Sequence, residues 1–348
     1  MTGAVLPTPF HARTAMRNGA NAWTIRGAFT VPAHYGDSRQ EALSARVTVA
    51  MSDVSATQDL RIDGAGAASL LATACGTPVA EMVIGSSRDV HWCAEGGGLR
   101  GYGSASRLGQ DNFLLRSADC DIAWFESAAA RFGVSVRDAT RERGLLFLAG
   151  PFSVPALVAA GLEVCDLKED HLVDYALRDL TVTVFRCRRP AGYELSCRAQ
   201  DAVLLFDRLI RAERLLALRL IGEEALQLLQ LEAGLPLPHA DFAPARALFA
   251  REPSPAALGL KDGHGLEESE RVLAGIEWDG DQPVPFARVF VGRKQMGRTL
   301  RSLYSPSLKC AIALAQLSPA CAAPGTIVTV RRVESSGREG RVVALPFL

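Results

Sequence analysis

The chain has 348 residues, with 38 Lys+Arg balanced by 38 Asp+Glu, and 48% of its residues are hydrophobic. Zero net charge excludes the clustered basic excess of a general nucleic-acid binder, and a charged share of 22% with this apolar content excludes a disordered chain. No run approaches the roughly 18 uninterrupted apolar residues of a membrane span, and Met1 to Asn18 lacks a basic-then-apolar leader. A cytoplasmic protein of two or three domains is therefore expected, at about 100–200 residues per domain.

In chain order, Ala45–Met51 is apolar enough for a strand or a short buried segment. Asp63-Gly64 is a turn signal, and Ala65–Cys75 reads as a helix that Gly76 would stop. Asn112–Leu115 is a short strand candidate. Ile122–Phe132 has helical spacing with Gly133 as its stop. Leu145–Ala149 reads as a buried strand, Ser153–Ala160 as a helix ending at Gly161, and Leu180–Cys187 as a β-branched, alternating strand. Asp201–Leu218 is the clearest helix, with Asp201 as candidate N-cap and apolar positions every three or four residues. A second helix, Glu223–Ala233, is closed by Gly234 and Pro236. Pro, Gly and Asp cluster over Arg251–Gly265, a linker or domain edge. Beyond it, Arg271–Ile276, Ala287–Val291, Ala311–Ala315, Thr326–Val330 and Arg341–Leu345 read as short strands of a β-rich C-terminal domain. The division expected is 1–252, holding two interleaved α+β subdomains, and 253–348.

Familiar chemical signatures are missing. Neither GxGxxG nor GxxxxGK[ST] occurs, there is no HExxH, and Gly101-Tyr102-Gly103-Ser104 is not a serine elbow. The eight cysteines form no CxxC pair, so buried free thiols are expected and no metal site.

The informative feature is a series of phrases in fixed order. Thr8-Pro9-Phe10-His11 is followed by Val31-Pro32-Ala33-His34-Tyr35, Ser52-Asp53-Val54-Ser55, Trp92-Cys93 and Gly103 to Gly109. Then come Asn112 to Trp124 (NFLLRSADCDIAW), Gly192-Tyr193-Glu194-Leu195, Leu231 to Leu237 and Tyr304 to Leu308. Together they resemble the glycine-cleavage T-protein (aminomethyltransferase) superfamily. The Ser-Ala-Asp-Cys-Asp phrase with Ile-Ala-Trp is most similar to its branch of tetrahydrofolate-dependent demethylases and sarcosine-oxidase-like proteins.

The resemblance implies an α+β fold, a three-domain cloverleaf around a central folate-type hole, with a C-terminal β-barrel. It implies tetrahydrofolate as cofactor, a small-molecule substrate and room for a partner subunit, while the charge balance and hydropathy imply neither nucleic acid nor membrane as partner. Glu194 matches the family's pterin-binding glutamate; a carboxylate suits two adjacent N–H donors on the pterin edge. Ser117 matches a polar pterin contact, or is a strand-end cap. Tyr193 and Asp119 fall in the same cofactor-binding phrases, and Arg186 sits where the family has an arginine upstream of the glutamate, offset by a two-residue shortening. Asp119 and Asp121 also read as the start of the helix at Ile122, the reading favoured for Asp121. Tyr35 is expected to face the substrate.

Three departures stand near this expected site. Gly101 and Tyr102 occupy the place of an acidic pair, one member of which is catalytic in relatives. Tyr102 is thus either the catalytic donor of a proton or hydrogen bond, or a turn residue. Leu226 and Gln230 stand where relatives often carry arginines, and Arg188 to Gly192 is a shortened loop. Three readings follow: a tetrahydrofolate-dependent methyl or aminomethyl transferase, a folate-binding subunit of a larger assembly without transfer activity, or the same fold turned to folate-independent chemistry.

Overall fold

In a computed structural model of the chain, residues 5–75, 79–93, 99–118, 120–188, 190–236, 272–332 and 337–348 are described. Asp119 and the Arg251–Gly265 linker lie outside them. The chain divides into two compact units: Met1–Thr73 with Thr77–Val90 and Gly103–Leu226, and Ala74–Gly76 with His91–Tyr102 and Gln227–Leu348.

The first unit is built on a six-stranded sheet whose edge-to-edge order is Leu172–Ala176, Thr181–Cys187, Gly192–Arg198, Arg143–Ala149, Val49–Asp53 and Leu218–Leu220. Strand alternation separates its two faces. Tyr193, Leu195, Val184, Leu146, Leu148 and Met51 point into one apolar core. Helix Ala202–Leu209 covers that core with Ala202, Leu205, Phe206 and Leu209, the i, i+3, i+4, i+7 stripe of an amphipathic helix. Phe10 fills the same core, its ring centroid 6.4 Å from that of Phe206. On the other face, Phe185, Glu194, Phe147 and Ser52 lie in one row across four neighbouring strands.

A five-stranded sheet follows the order Ser86–Cys93, Leu99–Arg107, Asn112–Ser117, Gln58–Asp63, Ser135–Asp138. Its apolar face carries Leu60, Ile62, Phe113 and Leu115, all fully buried. A small sheet of Leu6–Pro7, Phe29–His34 and Ala22–Arg26 completes the strands of this unit.

In the second unit, Val272–Trp278, Cys310–Leu317, Lys294–Ser305, Arg288–Val291, Ile327–Arg331 and Arg338–Val343 close into a barrel. Ala274, Ala311, Ala313 and Ala315 are among its core residues, and small side chains suit the interior of a narrow barrel. Glu232, 1% exposed, accepts a hydrogen bond from Ser305 Oγ at 2.6 Å.

Several sequence expectations are met closely. The helices appear as Ala67–Cys75, Ile122–Ala129, Ser153–Ala159 and Glu223–Glu232, and Gly133, Gly161 and Gly234 past three of their ends have positive φ. Three need correction. The long helix expected over Asp201–Leu218 is three pieces: Ala202–Leu209, a 3-10 turn Ile210–Ala212, and Glu213–Leu216. Ala217 then turns left-handed (φ 51°), and Leu218 pairs in parallel with Val49, so sheet pairing overrides helical propensity. Neither proposed aspartate N-cap bonds the helix through its side chain; Asp201 instead accepts from Arg198 Nε at 2.7 Å. Ala45–Val47, part of the run read as a strand or a short buried segment, ends the helix Ser38–Val47, and the strand begins at Val49.

Candidate functional site

Two polar groups stand out in the first unit. The first is centred on Glu194. Its strand alternates Tyr193 and Leu195 into the core, so Glu194 emerges on the opposite face, where 32% of its side chain stays accessible. Arg116 Nη1 donates to Glu194 Oε2 at 3.4 Å. Arg116 also donates from Nε to Asp59 Oδ1 at 2.8 Å and from Nη2 to Asp59 Oδ2 at 3.1 Å. These two parallel bonds fix the guanidinium plane. Arg116 therefore joins the five-stranded sheet, through Asn112–Ser117 and Gln58–Asp63, to the six-stranded sheet.

Burial pushes the Glu194 carboxyl pKa above its ordinary value; Arg116 pulls it down, Asp59 and Asp89 push it up, and Arg26 pulls it down. The Arg116 guanidinium stays above its own ordinary value: burial lowers it, and Asp59 and Glu194 together raise it more. The Cys187 thiol, on the same face of the sheet, is pushed well up by burial and then by Glu194. It is an inert neutral group here. Two residues along from Glu194, Ser196 Oγ accepts from Arg143 Nε at 2.6 Å. A recessed carboxylate with one long contact to a described side chain retains acceptor capacity for a ligand's N–H groups.

The second group gathers three of the sequence phrases. Thr8 Oγ1 donates to Asp53 Oδ2 at 2.5 Å, and Asp53 Oδ1 accepts from the Ser55 amide at 3.0 Å. Asp53 is 8% exposed, and burial raises its pKa against the pull of Thr8 and Ser55. The Tyr35 hydroxyl is raised by burial, then by Asp53 and Glu41. Glu41 Oε1 accepts from the amides of Tyr35 (2.7 Å) and Gly36 (3.0 Å), and its Oε2 from the Gly222 amide (2.8 Å). Tyr35, Arg17, Glu213 and Arg219 line a cleft of about 480 Å³.

The residues expected at the site are distributed as follows. Glu194 lies at the centre of the first group. Ser117 ends the strand that holds Arg116, but alternation turns it to the apolar face with Leu115; it is 7% exposed. Tyr193 lies 8% exposed in the core on the other face of its strand. Arg186 pairs with Tyr193 on that face and donates to the Leu167 carbonyl at 2.8 Å. Neither is brought beside Glu194. Asp119 lies outside the described residues. Tyr35 belongs to the second group. Tyr102 is half-buried on Leu99–Arg107 and falls in the second unit. Beside it, a Cβ on Gly101 would lie 2.2 Å from the indole of Trp92, which is fully buried.

Arg116, Asp59 and Glu41 were not anticipated. Arg116 carried one signal, a charge in the apolar strand Phe113-Leu114-Leu115-Arg116. Its partners are 57 and 78 residues away, which no local pattern reveals. Among the described residues, no group of three or more His, Cys, Asp or Glu is placed to hold a metal.

A mixed α/β body with a closed C-terminal β-barrel, and a recessed carboxylate on the second face of its main sheet, defines the class. Residues 11–251 match the GCVT N-terminal domain, and residues 271–348 match the glycine cleavage T-protein C-terminal barrel domain. The chain belongs to the glycine-cleavage T-protein family, a family of transferase enzymes. It is 27% identical to an aminomethyltransferase of Halalkalibacterium halodurans, with 92% of each chain covered. It is 28% identical to an aminomethyltransferase of Streptomyces coelicolor, with 91% of each covered. The crystal structure of glycine cleavage system aminomethyltransferase T from Bartonella henselae matches with a TM-score of 0.85 at 22% identity, over 99% of this chain and 98% of that one. The chain has the T-protein fold.

Proposed function

We propose that this protein binds tetrahydrofolate and transfers a one-carbon group, methyl or aminomethyl, from a small-molecule donor to it. The observation that carries the reading is Glu194: a recessed, partly accessible carboxylate on the sheet face away from the apolar core, with Arg116 as its one described side-chain donor. The group fits. The pterin edge offers adjacent N–H donors, and a carboxylate accepts both with charge assistance. Bound tetrahydrofolate supplies the nitrogen that receives the carbon unit. Glu194 would hold and orient the pterin, and Arg116 would hold Glu194.

Gly101 favours a second reading. Where the resemblance expects an acidic residue, this chain has a glycine under the Trp92 ring, so no carboxylate can stand at that position. That suits a donor with no ammonium to pair, such as an ether or thioether, and it also suits a folate-binding subunit that transfers nothing. Tyr102, next in sequence, would then be the candidate proton or hydrogen-bond donor.

Calorimetric titration of the protein with tetrahydrofolate, beside Glu194→Ala, tests the main reading. Micromolar binding that the variant loses supports it. No binding by the parent protein overturns it and leaves the folate-independent alternative. Turnover with methylated donors, measured once folate binding is established, separates the transferase from the non-catalytic subunit.

A further inference from the structure

The Asp59–Arg116–Glu194 chain has a geometry that a plain structural ion pair does not need. Arg116 spends two of its nitrogens on Asp59, which is 2% exposed, in a flat bidentate pair at 2.8 and 3.1 Å. That pair sets the guanidinium plane from the five-stranded sheet. The remaining edge, Nη1, reaches Glu194 on the other sheet at 3.4 Å. A charge-assisted N–H···O bond normally closes to about 2.7–2.9 Å. Arg116 is thus near enough to orient the carboxylate and favour its charge, and too far to satisfy it.

We propose that Arg116, clamped by Asp59, is a positioning residue that keeps Glu194 ionised and aimed while leaving its oxygens to the ligand. The proposal rests on the reading of Glu194 as the carboxylate that takes the pterin N–H edge. Without Arg116, burial and the negative neighbours Asp59 and Asp89 would dominate, and Glu194 would hold its proton to higher pH. A neutral carboxyl keeps a proton on one oxygen and offers a ligand edge of two donors one acceptor too few. The charged and titratable groups around Glu194 are Arg116 and Asp59 from the five-stranded sheet with Asp89 on its Ser86–Cys93 strand, Arg26 from the small sheet, and Cys187 on the adjacent strand. Cys187 stays neutral, so Arg116 and Arg26 are the cations that oppose the burial cost.

The test follows the Glu194 carboxyl by carbon-13 NMR of glutamate-labelled protein, assigned with Glu194→Gln, over pH 4 to 9. Removing Arg116 and Asp59 together (Arg116→Gln with Asp59→Asn) avoids stranding the Asp59 charge and takes one cation and one anion from around Glu194. Because Arg116 outweighs Asp59 at Glu194, the midpoint is expected to rise, by less than Arg116→Gln alone would give. Tetrahydrofolate affinity is expected to fall at pH 7, by no more than tenfold per unit of midpoint shift, and to recover toward that of the parent at pH 9. If the double variant does not fold, Arg116→Lys serves: it keeps the charge, loses the fork, and is expected to move the midpoint upward by less. An unmoved midpoint in a folded variant overturns the proposal, as does an affinity loss equal at every pH. Failure of the parent protein to bind tetrahydrofolate would instead sink the folate reading, with the NMR midpoint still deciding the role of Arg116.

Discussion

Glu194 shows at the scale of one residue how a site departs from what folding alone would select. Its folded-state pKa lies above the ordinary 4.5, so the folded chain holds this proton more tightly than the unfolded chain does. The cost of the ionised group is absent below 4.5 and is felt in full once pH rises past the folded value. Glu194→Gln is therefore expected to leave the Tm at pH 7 unlowered, to remove the stabilisation this carboxyl gains between pH 7 and 4.5, and to abolish tetrahydrofolate binding. Thermal melts at several pH values check the first two, and calorimetry the third. A Tm that drops at pH 7 would mean Glu194 serves the fold instead of a ligand. Gly101 makes the opposite case. Gly101→Asp pushes a carboxylate into a buried indole and should cost about 3 kcal/mol or more in denaturant unfolding. Truncating Trp92 in the same chain should restore part of that loss.

At the scale of elements, Glu41 is a buried clamp. Three backbone amides converge on it, tying the turn after strand Phe29–His34 to the segment that enters helix Glu223–Glu232. Glu41→Gln replaces one acceptor by a donor facing an amide and should cost about 1–3 kcal/mol. Gly222→Ala should cost a similar amount, about 1–3 kcal/mol, because its Cβ would lie 2.3 Å from the Ala33 carbonyl oxygen. Urea unfolding measures both, and a change below 0.5 kcal/mol in either would contradict the tight approach. These same elements show what local sequence carries. Apolar runs ending in glycine marked most helices, because the left-handed stop is a local requirement. The strand Lys294–Ser305, the longest in the barrel, passed unseen because KQMGRTLRSLYS is polar and basic; its pairing with Cys310–Leu317 makes it a strand. The alternation Tyr193-Glu194-Leu195 already told that Tyr193 and Glu194 point apart. The Asp59–Arg116–Glu194 chain could not be read at all, since three strands distant in sequence must meet before it exists.

At the scale of the whole molecule, the match to the Bartonella henselae T-protein holds the fold at 22% identity. Cores accept such replacement when volume and apolar pattern are kept. No helix among the described residues is long and apolar enough to cross a membrane. The thiols follow the burial pattern. Burial raises the pKa of Cys187, Cys197 (pushed up to about 12), Cys310 and Cys321, while Cys165 is exposed. Of the seven cysteines with described side chains, Cys165 should be alkylated first by iodoacetamide in the native protein at pH 7, and the buried ones only on unfolding. Mass spectrometry of partially labelled protein reads the order; rapid labelling of Cys187 would contradict its inert placement beside Glu194.

The indole seated on Gly101 also constrains the chain's future. Every substitution at position 101 adds a Cβ, and the space for it is already taken by Trp92. No single codon change can therefore put a working acid there. Trp92 must shrink first, and that step alone opens a cavity with nothing yet to fill it. A lineage that has accepted this packing stands behind a valley in its fitness landscape, and new reactivity is more easily reached from neighbouring positions than by going back.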